Sequence, residues 1–230
     1  MPIACSRKRR VAVGSVLFLL VGWGSLGGVV HAALITFNFE GNVTSVASAV
    51  SSHFSTSDKL VGSFSFDSDT PDRSPGAQFG GYLVNQLSFT LGSNAYSATV
   101  GTASPRIEIT SNSSVAPSFP TDNYRVISVT NVGPSAGALL PREFFFDITG
   151  DNKFPTDSLP LTPPSLGNLL PIDRNFAMRF VQPVGAVGDV RGHLTSLTLA
   201  PVPLPGAVLL FGSGLIGLAA FGRRHLTRLS

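Results

Sequence analysis

The sequence predicts an all-β domain, an antiparallel β-sandwich of jelly-roll type, and three observations carry that expectation. Apolar residues recur at every second position in short runs; Gly, Pro, Asn, Ser and Asp crowd the segments between the runs; and no window between the two ends keeps a helical period. Short strands with one apolar face bury it by packing two sheets together. Alternation alone leaves a closed barrel open as the other architecture.

The first run is Ile35, Phe37 and Phe39, alternating with Thr36, Asn38 and Glu40. Gly62, Phe64 and Phe66 alternate in the same way with Ser63, Ser65 and Asp67. The pattern continues through Leu83 to Leu91, Arg106 to Thr110, Tyr124 to Val132, Glu143 to Thr149, Asn175 to Val181 and Arg191 to Leu199, giving about nine strand candidates. Asp69-Thr70-Pro71-Asp72 and Gly133-Pro134-Ser135 are turn chemistries. Only Ser165 to Leu170, just after Pro163-Pro164, suits a helical turn. Fourteen of the 17 phenylalanines fall in this region, enough ring area to fill a core without a disulfide. Phe144-Phe145-Phe146 interrupts the alternation, so one ring must face outward; the Pro-rich loop from Pro155 to Pro171 is the expected cover.

The ends of the chain differ from its middle. Arg7, Lys8, Arg9 and Arg10 precede an apolar stretch from Val11 to about Trp23, followed by a Gly-rich approach to Val30-His31-Ala32. This is the tripartite form of a secretory signal, with small residues where a signal peptidase needs them, and it places cleavage between Ala32 and Ala33. An uncleaved membrane helix is the other reading, weakened by Gly22, Gly24, Gly27 and Gly28. The organisation expected is a signal helix over residues 1–32, an exported domain over 33–202 and a tail over 203–230.

With the terminal basic clusters set aside, nine basic residues face 13 acidic ones in the exported domain, a net charge of −4. The overall +3 therefore describes the two ends, and no nucleic-acid-binding surface is expected. Cys5 is the only cysteine and precedes the expected cut; a disulfide, a thiolate nucleophile and a cysteine-held metal are all excluded from the domain.

In the tail, Val202-Pro203-Leu204-Pro205 is followed by seventeen uncharged residues, Gly206 to Gly222, and then by Arg223-Arg224. Such a run is at the lower limit for a single transmembrane helix, and basic residues at both ends would stay inside, leaving the domain outside. A plain single-pass anchor fits this order. So does a removable sorting tag. The Pro203-Leu204-Pro205 motif, the Phe211-Gly212-Ser213-Gly214-Leu215 core and the Arg223-Arg224 end together resemble the PEP-CTERM sorting domain of exported proteins from Gram-negative, exopolysaccharide-producing bacteria. Leu204 stands where the founding motif has Glu. The resemblance implies processing by an exosortase-type membrane protease and a cell-surface or extracellular destination, with exopolysaccharide as an expected associate in a biofilm. Ile35-Thr36-Phe37-Asn38-Phe39, Gly62-Ser63-Phe64-Ser65-Phe66-Asp67 and Leu194-Thr195-Ser196-Leu197 also resemble strands of short secreted proteins of that type, a type that implies no activity.

Catalytic constellations are sparse. His53 and His193 are the only histidines of the exported domain and neither has a zinc-protease spacing; the G-x-S-x-G match there, Gly133-Pro134-Ser135-Ala136-Gly137, falls on turn chemistry and not on a strand-to-helix elbow. Glu40, Glu108 and Glu143 are the candidates for a glycosidase pair, and solvated strand positions account for them equally well. The expectation is a protein without enzymatic activity and without a required cofactor. Asp67, Asp69 and Asp72 are the candidate calcium ligands, since hard oxygens clustered in a loop suit that ion, although Asp and Pro are also ordinary turn formers. Asp147, Asp151 and Asn152 form a looser group. A structural or matrix component ranks first, a lectin-like carbohydrate-binding module second and a polysaccharide hydrolase third. The domain has no Trp and only Tyr82, Tyr96 and Tyr124, which disfavours a stacked-sugar platform. If the N-terminal reading is right, intact-mass measurement of protein from the native host gives a chain beginning at Ala33; a chain retaining Arg7 to Arg10 would refute it.

Overall fold

The computed structural model describes residues 32–74, 78–101, 104–111, 122–150, 154–182, 185 and 187–201. The expected signal and transmembrane helices, the Val202 to Pro205 motif, Arg223, Arg224, Asp151 and Asn152 lie outside the described residues. Among the described residues, eleven strands form one antiparallel sheet: β1 (Leu34–Val46), β2 (Lys59–Asp67), β3 (Phe79–Leu83), β4 (Gln86–Leu91), β5 (Asn94–Ala98), β6 (Arg106–Thr110), β7 (Asp122–Ser128), β8 (Asn131–Val132), β9 (Leu140–Gly150), β10 (Asn175–Val181) and β11 (Val187–Leu199). Their order across the sheet is β3-β6-β7-β9-β10-β11-β1-β2-β4-β5-β8.

The all-β expectation holds, and β6 and β10 occupy the residues read from the alternation. The run from Leu83 to Leu91 is broken, since Val84 and Asn85 turn back through Val84 N–H to Pro105 O and Asn85 N–H to Ser65 O. Tyr124 to Val132 is likewise two strands, interrupted at Val129-Thr130. The expected helical turn at Ser165 to Leu170 is displaced to a 3-10 turn at Pro171–Arg174, where Pro171 supplies the first helical position.

The sheet is curled on itself. Phe89 of β4 stacks on Phe144 of β9 with centroids 4.1 Å apart, although β2, β1, β11 and β10 lie between them in the sheet. A flat sheet would separate these strands by about 24 Å, five spacings of roughly 4.8 Å. Phe39 reaches Phe146 at 5.3 Å, Phe64 reaches Phe146 at 5.9 Å, and Tyr96 of β5 meets Phe180 of β10 at 5.9 Å. The inward parity of every long strand thus converges on one aromatic core.

The longest strand pair is irregular. Between β1 and β11 the register shifts at Glu40/Gly41 and again at Val43/Ser45, and such bulges increase local twist and bend the strand. Gly41 and Gly192 lie beside this irregularity with the Phe176 ring against both: a β-carbon at Gly41 would stand 2.8 Å from that ring, and one at Gly192 would stand 2.6 Å from it. Only glycine lets the ring approach the backbone so closely.

A Pro-rich strap over residues 154–174 crosses the core. Phe154 N–H donates to Asp122 Oδ2 at 2.7 Å, Tyr82 Oη–H donates to Asp157 O at 2.9 Å, and Leu159, Leu166 and Leu169 pack against the buried cluster. Phe145 is not where the strap packs. Its half-buried ring lies on the outer face with the Arg125 guanidinium 5.2 Å from its centroid, so a cation shields the ring.

All three tyrosines lie in the buried cluster. Burial pushes the Tyr96 phenol up to about 12 and raises that of Tyr124 as well; Tyr82 is raised by burial first and then by Asp72 and Asp157. Above pH ~10 the unfolded phenols release protons that the folded ones keep. The unfolded state then binds fewer protons, so stability is intact below pH ~10 and falls as the pH rises toward 12. Absorbance titration should show tyrosinate appearing together with loss of the β-sheet circular dichroism; tyrosinate forming well before unfolding would contradict this burial.

Candidate functional site

A cleft of about 650 Å³ lies on the outer face at the β3 edge of the sheet. Its construction begins with a turn after β2, in which the Thr70 N–H and hydroxyl both donate to Asp67 O, at 3.0 and 2.7 Å. The chain then lies along β3, where Arg73 N–H donates to Gly81 O at 2.8 Å. Asp72 Oδ1 accepts from Ser74 N–H and Gly81 N–H, both at 2.8 Å. One carboxylate oxygen thereby occupies an edge donor that another strand could otherwise pair with. A β-carbon at Gly81 would come within 2.9 Å of Ser74 Oγ and fill part of the cleft floor.

Arg73 and Arg106 bring two guanidinium groups to this cleft and Glu108 one carboxylate. Arg106 Nε is 2.6 Å from Glu108 Oε1. Phe79, more than a third exposed, adds an apolar ring face. Guanidinium groups beside an exposed ring can orient a small ligand that carries both a carboxylate and an apolar face. No reacting nucleophile with an adjacent base is assembled among these residues.

The neighbouring outer face is ionic. Cross-strand register places Glu108, Arg125 and Asp147 opposite one another on β6, β7 and β9, and Glu143, Arg179 and Asp189 on β9, β10 and β11. Arg125 grips buried Asp147 with two bonds, Nε to Oδ1 at 2.6 Å and Nη2 to Oδ2 at 3.2 Å. The Asp147 hydrogen bond raises the Arg125 pKa, against the opposing effect of burial. Arg179 bridges Glu143 at 3.0 Å and Asp189 at 3.3 Å, while Arg191 holds Asp189 from the other side at 2.7 Å. These residues are scattered over more than eighty sequence positions; only strand register aligns them.

That register also decides the fate of the candidate carboxylates. Glu108 and Glu143 are each engaged by an arginine, and Glu40 stands exposed on β1 opposite Val61 and Ser196; the three do not form a glycosidase pair. His53 is a clamp: Gly137 N–H donates to its Nε2 at 3.1 Å, and its Nδ1 is 2.8 Å from Ser52 Oγ. Of the calcium candidates, Asp67 Oδ2 accepts from Asn85 Nδ2 at 3.0 Å, and Asp72 is committed to the β3 edge. Asp67 and Asp69 share a smaller hollow with Thr70, Pro71 and Arg73. Among the described residues no three His, Cys, Asp or Glu side chains stand close enough to hold a metal ion, and no helix is long and apolar enough to cross a membrane.

The arginines and Phe79 of the cleft carry no sequence motif and were not among the candidates. Arg73 precedes β3, whose Gly80 and Gly81 hide its strand character, and its partner surface is brought up by β6 pairing. Comparisons with protein families, with curated proteins and with solved structures found no match for this chain.

Replacing Asp72 with Ala leaves the Ser74 and Gly81 N–H groups without their acceptor and should cost about 1–3 kcal/mol, read as a lowered urea midpoint. Chelator and excess calcium should leave the wild-type melting temperature unchanged; a rise with calcium would establish an ion site in this loop.

Proposed function

We propose that the chain is an exported structural protein of the cell surface or extracellular matrix, sorted by an exosortase-type protease and associated with exopolysaccharide. The observation that carries this reading is the ordered tail: Val202 to Pro205, the apolar run from Gly206 to Gly222, and Arg223-Arg224. The run is marginal for a spanning helix and contains five glycines, which suits a temporary hold better than a permanent one. Pro203 and Pro205 disfavour continuation of a helix and keep the motif extended, as a protease substrate must be. The domain before it suits a role outside the cell, since its core is aromatic and needs no disulfide or metal. We read its curled sheet as a β-sandwich of jelly-roll type, supported by the ring contacts between β4 and β9 across the fold. Calcium is not required in this reading, and neither is a catalytic group.

A carbohydrate-binding module is the second reading, favoured by the cleft of Arg73, Phe79 and Arg106, which suits an acidic sugar better than a neutral one. A pull-down on the producer's own polysaccharide distinguishes the two, and turnover of that polymer would instead indicate a hydrolase.

Replacing Pro203 and Pro205 together with Ala should leave the protein exported but membrane-bound with its tail attached. The C-terminal mass of wild-type protein from an exopolysaccharide-producing native host is the deciding measurement: a surface chain that still ends in Arg223 to Ser230 would make the tail an ordinary anchor.

A further inference from the structure

The cleft at the β3 edge owes its depth to one missing side chain. Antiparallel register places Phe79, Gly81 and Leu83 of β3 opposite Thr110, Glu108 and Arg106 of β6, and directly opposite residues share a face of the sheet. Along β3 the outward positions are therefore a ring, a gap and a leucine. On the free edge of β3 the chain at Arg73 and Ser74 runs alongside, tied by Arg73 N–H to Gly81 O at 2.8 Å. The result is a slot over Gly81, with Phe79 and Leu83 at its ends, Arg73 and Ser74 on one flank, and Glu108 and Arg106 on the other. Strand geometry makes it about 14 Å long and about 10 Å between its flanks. Its volume of about 650 Å³ is that of a small-ligand site.

The groups around the slot restrict what it can hold. Guanidinium groups favour a carboxylate, which accepts two of their N–H groups in parallel. Each carries five such donors, so Arg106 can hold Glu108 through Nε at 2.6 Å and still turn others to a ligand. The Phe79 ring favours a flat apolar face. Glu108 decides among the ligands that satisfy both, because an ionised carboxylate only accepts hydrogen bonds and repels a second anion brought beside it. A ligand whose carboxylate is flanked by hydroxyls supplies the donors that Glu108 needs. Ser74 Oγ, 2.9 Å from where a β-carbon of Gly81 would stand, offers a further partner over the slot floor. Benzoate has no hydroxyl to give, and phosphate brings up to two negative charges toward Glu108.

We propose that the slot binds a hexuronate residue of an acidic polysaccharide. Arg73 and Arg106 hold its carboxylate, the C–H face of its ring lies against Phe79, and its hydroxyls donate to Glu108 and Ser74 Oγ. Glu108 selects a sugar acid over other anions, and Gly81 makes room for the ring. This rests on the reading of the cleft as a carbohydrate site and adds to it the ligand and the residues that choose it.

Isothermal titration calorimetry of the full chain in non-ionic detergent tests this with oligogalacturonate and oligoglucuronate, the same oligomers with their carboxyl groups reduced to alcohols, benzoate and inorganic phosphate. Wild-type protein should bind a uronate oligomer, and bind its reduced form at least about tenfold more weakly, since charge-assisted hydrogen bonds are lost. Phe79→Ala, at a position more than a third exposed, should weaken uronate binding about tenfold. Gly81→Val should abolish it while the β-sheet circular dichroism is retained, and Glu108→Gln should narrow the preference for uronate over benzoate and phosphate. Equal binding of carboxylated and reduced oligomers, benzoate or phosphate bound as tightly as uronate, or uronate binding unchanged in Phe79→Ala would overturn the proposal. So would no binding of either uronate by folded wild-type protein. If that protein still captures the producer's polysaccharide, the carbohydrate reading stands without this ligand; if it captures neither, both fall.

Discussion

The stacking of Phe89 on Phe144 is the contact on which the rest of the structure depends, because it joins strands that are five places apart in one sheet. Phe39 and Phe64 extend it toward Phe146, so that rings from β1, β2, β4 and β9 share one core. Each such ring removes on the order of 150–250 Å² from water, and tilted or edge-on pairs add specific attraction to burial. Truncation of Phe144 would remove partners from both layers at once. For a domain with no disulfide, this convergence supplies the cross-linking that covalent bonds supply elsewhere.

Closing the sheet over a core of rings has geometric requirements that the small residues meet. The bulges between β1 and β11 add twist and bend, and the Phe176 ring packs close against Gly41 and Gly192 beside them. At the far edge, β3 is the end strand of the sheet. The strap covers the inner side there through Phe154, Asp157 and its leucines, and Asp72 caps the backbone. Core closure and edge protection are thus adjacent solutions to one problem, an open sheet with two ends.

The outer faces follow from the same curl. On one side, register lines up Glu108, Arg125 and Asp147, then Glu143, Arg179 and Asp189, with Ile127, Phe145 and Ala177 between them. Surface ion pairs are individually worth little, but Asp147 is buried and would be costly without Arg125. On the other side, Thr198, Asn38, Ser63, Ser88 and Ser97 make a neutral row. The two faces therefore offer different chemistry to the surroundings.

The strand class was readable from the sequence because period-two alternation reports burial of one face directly: Arg106 to Thr110 and Asn175 to Val181 carry it without interruption. β3 and β5 were not readable. Gly80 and Gly81 give no parity, and Asn94 to Ala98 has a single large side chain, Tyr96. The ends of the chain, with their basic clusters, apolar runs and proline motif, are local signals that need no tertiary structure to be recognised. Tertiary structure alone decided which distant residues meet. Sequence periodicity states which way a side chain points but not which strand lies beside it, and the cleft and the ionic rows both arise from that neighbour choice.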